Sequence, residues 1–229
     1  TTHDTRMSAL RMRAPSFTAP RRAFLAAALA LFVSGSGAVD AAPRNSAPSQ
    51  DARLDQIFIW NPRRAEVRVD VGRVTVDTLT GVEWDSRDGK KKERENAILV
   101  RRILYGEVPE SYTDAQNYAE RGDIANAVAS YRTAAEDASA RAGVRAAAQC
   151  SLVKELLGWG ATDASRFAEA AREAEKFVAN HPQSRLLPEV AFMRARAVQL
   201  TGEPKKAAEL YRALFDQSEG PTPGYPADL

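Results

Sequence analysis

The chain has 229 residues and a formal net charge of +2, so its length suits one domain or two small ones. The near-neutral charge excludes a general electrostatic attraction to nucleic acid or to anionic lipid. Cys150 is the one cysteine of the chain, which excludes an intrachain disulfide. It lies in an apolar helical pattern, AAAQCSLVKELL, that favours a buried and unreactive thiol.

Residues 1–42 have the layout of an export signal. We expect translation to begin at Met7, with Met12 as a further candidate and the residues before Met7 as upstream sequence. Arg21 and Arg22 close a basic region, the apolar run 23–33 follows, and small residues come after it. The layout predicts a secretory signal that is either cleaved or kept as an anchor, and therefore a periplasmic or cell-envelope protein.

The run RRAFL around the arginine pair resembles the twin-arginine export pattern R-R-x-F-L. Pro20 stands where that pattern has Ser or Thr, and Ala26 stands where Lys is usual. Both the twin-arginine route and the general secretory route stay open. Residues 43–53, rich in Pro, Ser and Asn, are predicted to be a linker.

Residues 54–108 alternate apolar and polar side chains with the period of β-strands. Val67, Val69 and Val71 share one face of the longest predicted strand. Gly72 follows at a change of parity, which predicts a bulge or a sharp bend in the sheet. The segment therefore predicts four or five short strands in a strongly bent antiparallel sheet or an SH3-like barrel.

A turn signal and two tryptophans add to the prediction for this module. Asp88-Gly89 indicates a hairpin turn, and the charged stretch 87–95 around it is expected to be solvated. Trp60 and Trp84 are expected to fill the interior of the module.

From residue 111 to residue 217 the apolar period changes to 3.6. Breaks at 122–123, 140–143, 158–163, 181–187 and 202–203 divide this segment into six helices, which pair as three antiparallel hairpins. The predicted fold class is α+β, a small antiparallel sheet followed by an α-solenoid. Residues 218–229 are predicted to be a flexible tail rich in Pro and Gly.

The helical segment contains an internal repeat. Gly122, Ala127, Tyr131 and Arg132 find the same residue types 80 positions later, and a weaker copy lies between the two. The glycines suit a left-handed helix end, and the alanines allow close helix packing. The repeated structural positions are Gly122, Ala127, Tyr131, Ala170, Phe177, Gly202, Ala207 and Tyr211.

These positions resemble the second half of the tetratricopeptide repeat (TPR). The alanines are 43 and 37 residues apart, whereas that repeat has a period of 34, and its early Trp is absent here. The resemblance implies stacked hairpins with a concave face that binds a peptide or a partner helix. A leader, a small β module and TPR-like helices together resemble exported bacterial repeat proteins of unassigned role.

The resemblance implies that the first helix of each hairpin lines the concave face. By their positions the candidates for ligand contact are Tyr112, Gln116, Phe192, Arg196 and Gln199. The expected partner is a protein or a peptide, with no nucleic acid and no membrane contact except through the leader. Two alternatives stay open: a self-assembling component of the cell envelope, with the chain as a homo-oligomer, and an unrecognised hydrolase with an accessory repeat.

The motifs of catalysis are missing from the sequence. It has no metal-ligand spacing such as C-x-x-C or H-E-x-x-H, no glycine-rich phosphate loop and no G-x-S-x-G turn. We therefore expect a protein without catalytic residues, cofactor or metal ion. His181 is expected to serve as a turn residue in the run ANHPQS.

Overall fold

A computed structural model describes residues 53–218. The predicted leader with Arg21 and Arg22, nearly all of the predicted linker, and the predicted tail after residue 218 lie outside the described residues. The described part consists of a five-stranded antiparallel sheet followed by six helices, which confirms the α+β class. No helix within 53–218 is both long and apolar enough to cross a membrane.

The five strands occupy residues 55–104, with a short 3₁₀ turn, Ala97–Leu99, before the last one. They are β1 (Asp55–Asn61), β2 (Glu66–Asp77), β3 (Val82–Ser86), β4 (Lys92–Glu95) and β5 (Val100–Leu104). Their order in the sheet is β4-β3-β2-β1-β5, and every neighbouring pair is antiparallel. The sheet is open, with β4 and β5 at its two edges.

The long strand β2 joins the two halves of the sheet at Gly72. Its first half pairs with β1 and its second half with β3, so that Gly72 lies opposite both Asp55 and Ser86. A Cβ at Gly72 would overlap the carbonyl oxygen of Asp85 and the ring of Trp84, which is why only glycine fits. The register irregularity predicted at Gly72 lies instead between Val74 and Val76.

One face of the sheet is buried and carries Trp84, as predicted. Its buried apolar residues are Ile57, Ile59, Val74, Val82, Trp84 and Val100. The expectation for Trp60 is wrong, because Trp60 lies on the opposite face, half-buried, with the guanidinium carbon of Arg101 5.9 Å from its ring centre.

The valine row of β2 lies on the outer face as well. Val67 is 48% exposed and Val69 47% exposed. The strand alternates without a slip at Gly72, so Val67, Val69 and Val71 face outward while Gly72 and Val74 face the core.

The six helices follow with short connections of three to six residues. They are α1 (Glu110–Glu120), α2 (Ile124–Glu136), α3 (Ala142–Trp159), α4 (Ser165–Asn180), α5 (Leu187–Leu200) and α6 (Pro204–Ser218). Each helix packs on the next one in the chain, and α3 also contacts α5. Connections this short make consecutive helices antiparallel, so each neighbouring pair forms a helical hairpin.

Two hairpin turns have the same backbone geometry. Gly122 has a φ of 75° and donates its N–H to the Ala119 carbonyl, while the Asp123 N–H reaches back to the Tyr118 carbonyl at 2.9 Å. This is the Schellman arrangement, which satisfies the last carbonyls of a helix. Gly202, with a φ of 87°, makes the same pair of bonds at the end of α5. The left-handed glycines expected from the repeat are confirmed.

The repeated positions inside the helices lie mostly in the core. Ala127, Tyr131, Ala170, Phe177 and Ala207 are buried, and Tyr211 is half-buried. Two apolar clusters run through the array, one centred on α1–α3 and one on α3–α5. Because α3 contributes to both clusters, it is the central helix of the packing.

Candidate functional site

The five predicted contact residues lie on two helices of different hairpins. Tyr112 and Gln116 are on α1 and are half-buried, while Phe192, Arg196 and Gln199 are exposed on α5. The middle hairpin separates these helices along the array. The structure therefore brings together the residues within each group and keeps the two groups on separate helical hairpins.

Each group is organised by an aromatic pair within its own hairpin. The rings of Tyr112 and Tyr131 meet edge to face with 5.8 Å between centroids, and those of Phe192 and Tyr211 are 5.6 Å apart. The members of both pairs are 19 residues apart, and the pairs are 80 residues apart. This spacing shows that the first and third hairpins are built on one pattern.

The two pairs differ in how far they are buried. Burial, followed by the neighbouring Tyr112, raises the pKa of Tyr131 to about 12. Phe192 is 42% exposed, although its ring contacts Tyr211. Tyr112 therefore serves mainly to pack the first hairpin, whereas Phe192 presents an aromatic surface to solvent.

On α5 the exposed candidates form a stripe along one face. Phe192, Arg196 and Gln199 follow one another at intervals of four and three residues, which places them on one side of a helix. Gln199 accepts a hydrogen bond from the Tyr211 hydroxyl at 3.3 Å, which orients its side chain. The stripe combines a ring, a guanidinium and an amide, groups suited to an apolar side chain, a carboxylate and a peptide backbone.

The sheet is joined to the helices by a buried ion pair that sequence reasoning missed. Asp55 at the start of β1 has no exposed surface, and its two oxygens accept bonds from both terminal nitrogens of Arg141 at 2.7 and 2.8 Å. The same carboxylate accepts the backbone N–H groups of Val74 and Gly106. Asp55 therefore ties β1, β2 and the segment after β5 to Arg141, the residue that precedes α3.

A second junction links β2 to the turn between α4 and α5. Asp77 accepts hydrogen bonds from Arg185 Nε and from the Tyr105 hydroxyl, both at 2.9 Å. The Leu79 N–H donates to the Gln183 carbonyl at 2.9 Å. The paired residues of the two junctions are 86 and 108 positions apart, and no local pattern in the sequence marks them.

A cavity of about 560 Å³ lies between these two junctions. Arg73, Tyr105, Arg141 and His181 are among its lining residues. Arg73 pairs with Glu107 at 3.1 Å, and Arg141 is neutralised by Asp55. Because its cations are paired within the chain, the cavity offers little net charge to a ligand, and its residues serve mainly to hold the sheet against the helices.

Two titratable side chains, Cys150 and His181, lie against the apolar interior of the helices. Cys150 is buried in α3, and burial, then Glu189, raises the pKa of its thiol to about 12, so the thiol stays protonated at neutral pH. Burial, then Arg145, lowers the pKa of His181, whose ring lies 5.0 Å from that of Phe177. Over residues 53–218, no group of three or more His, Cys, Asp or Glu side chains could hold a metal ion.

Comparison with known proteins found no relative of this chain. No protein-family model, no curated protein and no solved structure matches the chain.

Proposed function

We propose that the chain is an exported, non-enzymatic interaction module whose TPR-like hairpins bind a peptide or a partner helix. The observation that carries this proposal is the matched construction of the first and third hairpins. The same glycine turn and the same aromatic pair recur 80 residues apart, as expected of a structural repeat. Arrays of this kind use the face lined by the first helices for recognition.

The α5 stripe indicates the chemistry of the ligand. An extended peptide or an amphipathic helix that places an apolar side chain against Phe192 and a carboxylate near Arg196 would match it. Arg196 and Phe192 lie about one helical turn apart, so an acidic residue three or four positions from an apolar one in a partner helix fits best.

We further propose that the β module is SH3-like. Two features support this: β2 is shared between the two halves of the sheet at Gly72, and a 3₁₀ turn precedes the last strand, which returns to pair with β1. In this proposal the module docks through Asp55 and Asp77 and supports the array at α3 and at the α4–α5 turn.

The test places a photo-crosslinking amino acid at position 192 of the full chain in its native cells. A matched control carries the same group at Arg172, an exposed residue of the even-numbered helix α4. We expect a defined crosslinked partner from position 192 and none from position 172. Equal crosslinking from both positions would contradict a binding face on the odd-numbered helices.

The second step measures affinity with a synthetic peptide that spans the crosslinked segment of the partner. Loss of one desolvated contact in an interface commonly costs over 1 kcal/mol, so Phe192→Ala and Arg196→Glu should each weaken binding about tenfold or more. Arg172→Glu should leave the affinity unchanged. A peptide that binds all three variants as it binds the unaltered chain would refute the assignment.

A further inference from the structure

The side of the sheet that points away from its core carries an exposed apolar patch. We call this side, formed by β1, β5 and the first half of β2, the outer face. On it Trp60 lies directly opposite Val67, and Phe58 lies directly opposite Val69. Val71 continues the row, and the three valines are between 36% and 48% exposed. Because side chains opposed across two strands touch, the five residues form one continuous patch.

The charged side chains of these strands are sorted by sign between the two faces. Arg101 and Arg102 of β5 are exposed, and Arg102 lies opposite an outward residue of β1. Neither arginine has an ion-pair partner among residues 53–218. The acidic residues of β1 and of the first half of β2 are Asp55, Glu66 and Asp70, and all three alternate to the other face.

The outer face therefore combines apolar side chains with a net positive charge, although the whole chain is nearly neutral. The guanidinium carbon of Arg101 lies 5.9 Å from the centre of the Trp60 ring, at the border of the patch. Farther along β2, Arg73 is paired with Glu107 at 3.1 Å and adds no net charge. A tryptophan beside arginines suits the boundary between water and lipid, where the ring enters the headgroup layer and a guanidinium binds phosphate.

The position of the sheet in the chain points to the same occupant. The predicted leader ends at residue 42, and β1, which carries Phe58 and Trp60, begins at Asp55. An extended chain spans about 3.5 Å per residue, so a leader kept in a membrane would hold the start of β1 within about 45 Å of it. A second copy of the chain is a poorer occupant, because two such faces would bring like-charged arginines together.

We propose that the outer face binds a bilayer that contains anionic phospholipid. The three valines and the rings of Phe58 and Trp60 enter the headgroup layer, while Arg101 and Arg102 contact lipid phosphate groups. This surface adds a second membrane contact to the one expected through the leader. It uses only strands β1, β2 and β5, and it includes no residue of the α5 stripe.

The native tryptophans report this contact in the full chain. There are three, of which Trp84 is 2% exposed in the sheet core and Trp159 belongs to α3. Phosphatidylglycerol vesicles, brominated near the headgroup end of the acyl chains, quench only rings that reach that depth. Emission should fall by about a third, the share of one tryptophan among three, and Trp60→Phe should remove the quenching. A leader that inserts alone would leave Trp60 unquenched.

Two pairs of charge reversals test the role of the arginines. Arg101→Glu combined with Arg102→Glu should reduce the quenching at least about twofold, because two attractive charges become repulsive. The matched control, Lys90→Glu combined with Lys91→Glu, makes the same change in net charge at the exposed turn between β3 and β4 and should keep the quenching. Brominated phosphatidylcholine, which carries no net charge, should quench more weakly. Circular dichroism should be the same for all variants.

Several outcomes would overturn the proposal. They are no quenching by anionic vesicles, equal quenching by anionic and neutral vesicles, quenching that persists in Trp60→Phe, and an equal loss from both pairs of charge reversals. An acidic protein surface offers the same charge as the lipid, and poly-L-glutamate is the probe for it. A blue shift of Trp60 emission with poly-L-glutamate, without quenching by vesicles, would assign the outer face to an acidic protein and overturn the membrane contact.

Discussion

Replacing Asp55 with Asn should strongly destabilise the protein, although the side chain keeps its size. The carboxylate is fully buried and accepts four hydrogen bonds, two from Arg141 and two from the backbone N–H groups of Val74 and Gly106. The amide removes the charge that neutralises Arg141 and turns one acceptor into a donor that faces other donors. Breaking one partner of a buried pair costs about 3 to 5 kcal/mol.

Urea denaturation followed by circular dichroism measures this cost, and a thermal melt gives a second reading of it. For a chain of this size about 3 kcal/mol corresponds to a fall in Tm of about 6 to 12 °C. The control is Glu66→Gln in the exposed ion pair with Arg64, which should change the free energy of unfolding by less than about 0.5 kcal/mol.

A double-mutant cycle decides whether the loss comes from the ion pair itself. Arg141→Gln combined with Asp55→Asn should be less destabilising than the sum of the two single changes, with a coupling of about 1 to 3 kcal/mol. If Asp55→Asn costs no more than Glu66→Gln, or if the two changes at 55 and 141 are additive, then this junction does not hold the sheet to the helices as described.

Three further predictions concern single side chains of the helical array. Iodoacetamide at about pH 8 should label Cys150 at least about 100-fold more slowly in the native chain than in urea, and similar rates would mean that the thiol is accessible. Because the pKa of His181 is lowered from its ordinary 6.5 on folding, the unfolded chain binds the proton more readily, and stability should fall as the pH drops below 6.5. Unfolding free energies at about pH 7.5 and about pH 5.5 should show a smaller fall in His181→Gln, and an unchanged fall would assign it to other groups. Gly122→Ala and Gly202→Ala should each lower the free energy of unfolding by about 1 kcal/mol, because both glycines have a positive φ. As a control, Gly158→Ala within α3 should raise it by about 0.5 to 1 kcal/mol. Three equal effects in urea denaturation would contradict the turn geometry.

The parts of the fold that follow from local chemistry could be predicted from the sequence. The glycines at 122 and 202 end helices because only glycine adopts a left-handed conformation without strain, and the structure has them there. Asp88-Gly89 forms the β3–β4 turn for the same reason, with a φ of 67° at Gly89. The 3.6-residue apolar period predicts the six helices because each must bury one stripe against a neighbour.

The sheet was harder to predict because a strand has two faces and the sequence does not say which one is covered. The row Val67, Val69, Val71 has the alternation of a core face, yet the core lies beneath Ile57 and Ile59 of the neighbouring strand and beneath Val74 beyond Gly72. Which face of β2 is covered depends on how β2 pairs with β3 beyond Gly72, and that pairing is a property of the assembled sheet.

The junctions between sheet and helices could not be predicted for a different reason. A buried Asp or Arg is indistinguishable in sequence from an exposed one, and each partner lies 86 or more positions away. That Phe192, Arg196 and Gln199 share one exposed side could be predicted because they lie on one helix, whereas the ring of Tyr112 packs against Tyr131.

The long span between Asp77 and Arg185 also bears on the order in which the molecule can assemble. A chain that emerges N-terminus first presents all five strands before the residues that anchor them exist, because Arg141 and Arg185 come 37 and 81 positions after the last strand residue, Leu104. Until then Asp55 and Asp77 have no guanidinium to neutralise them. We therefore expect the strands to be only loosely packed, with backbone amides that exchange rapidly with solvent. Both guanidinium groups are present only once the fourth helix and the turn after it have been made, and α5 then completes the second apolar cluster, so the strands gain their anchors late in synthesis.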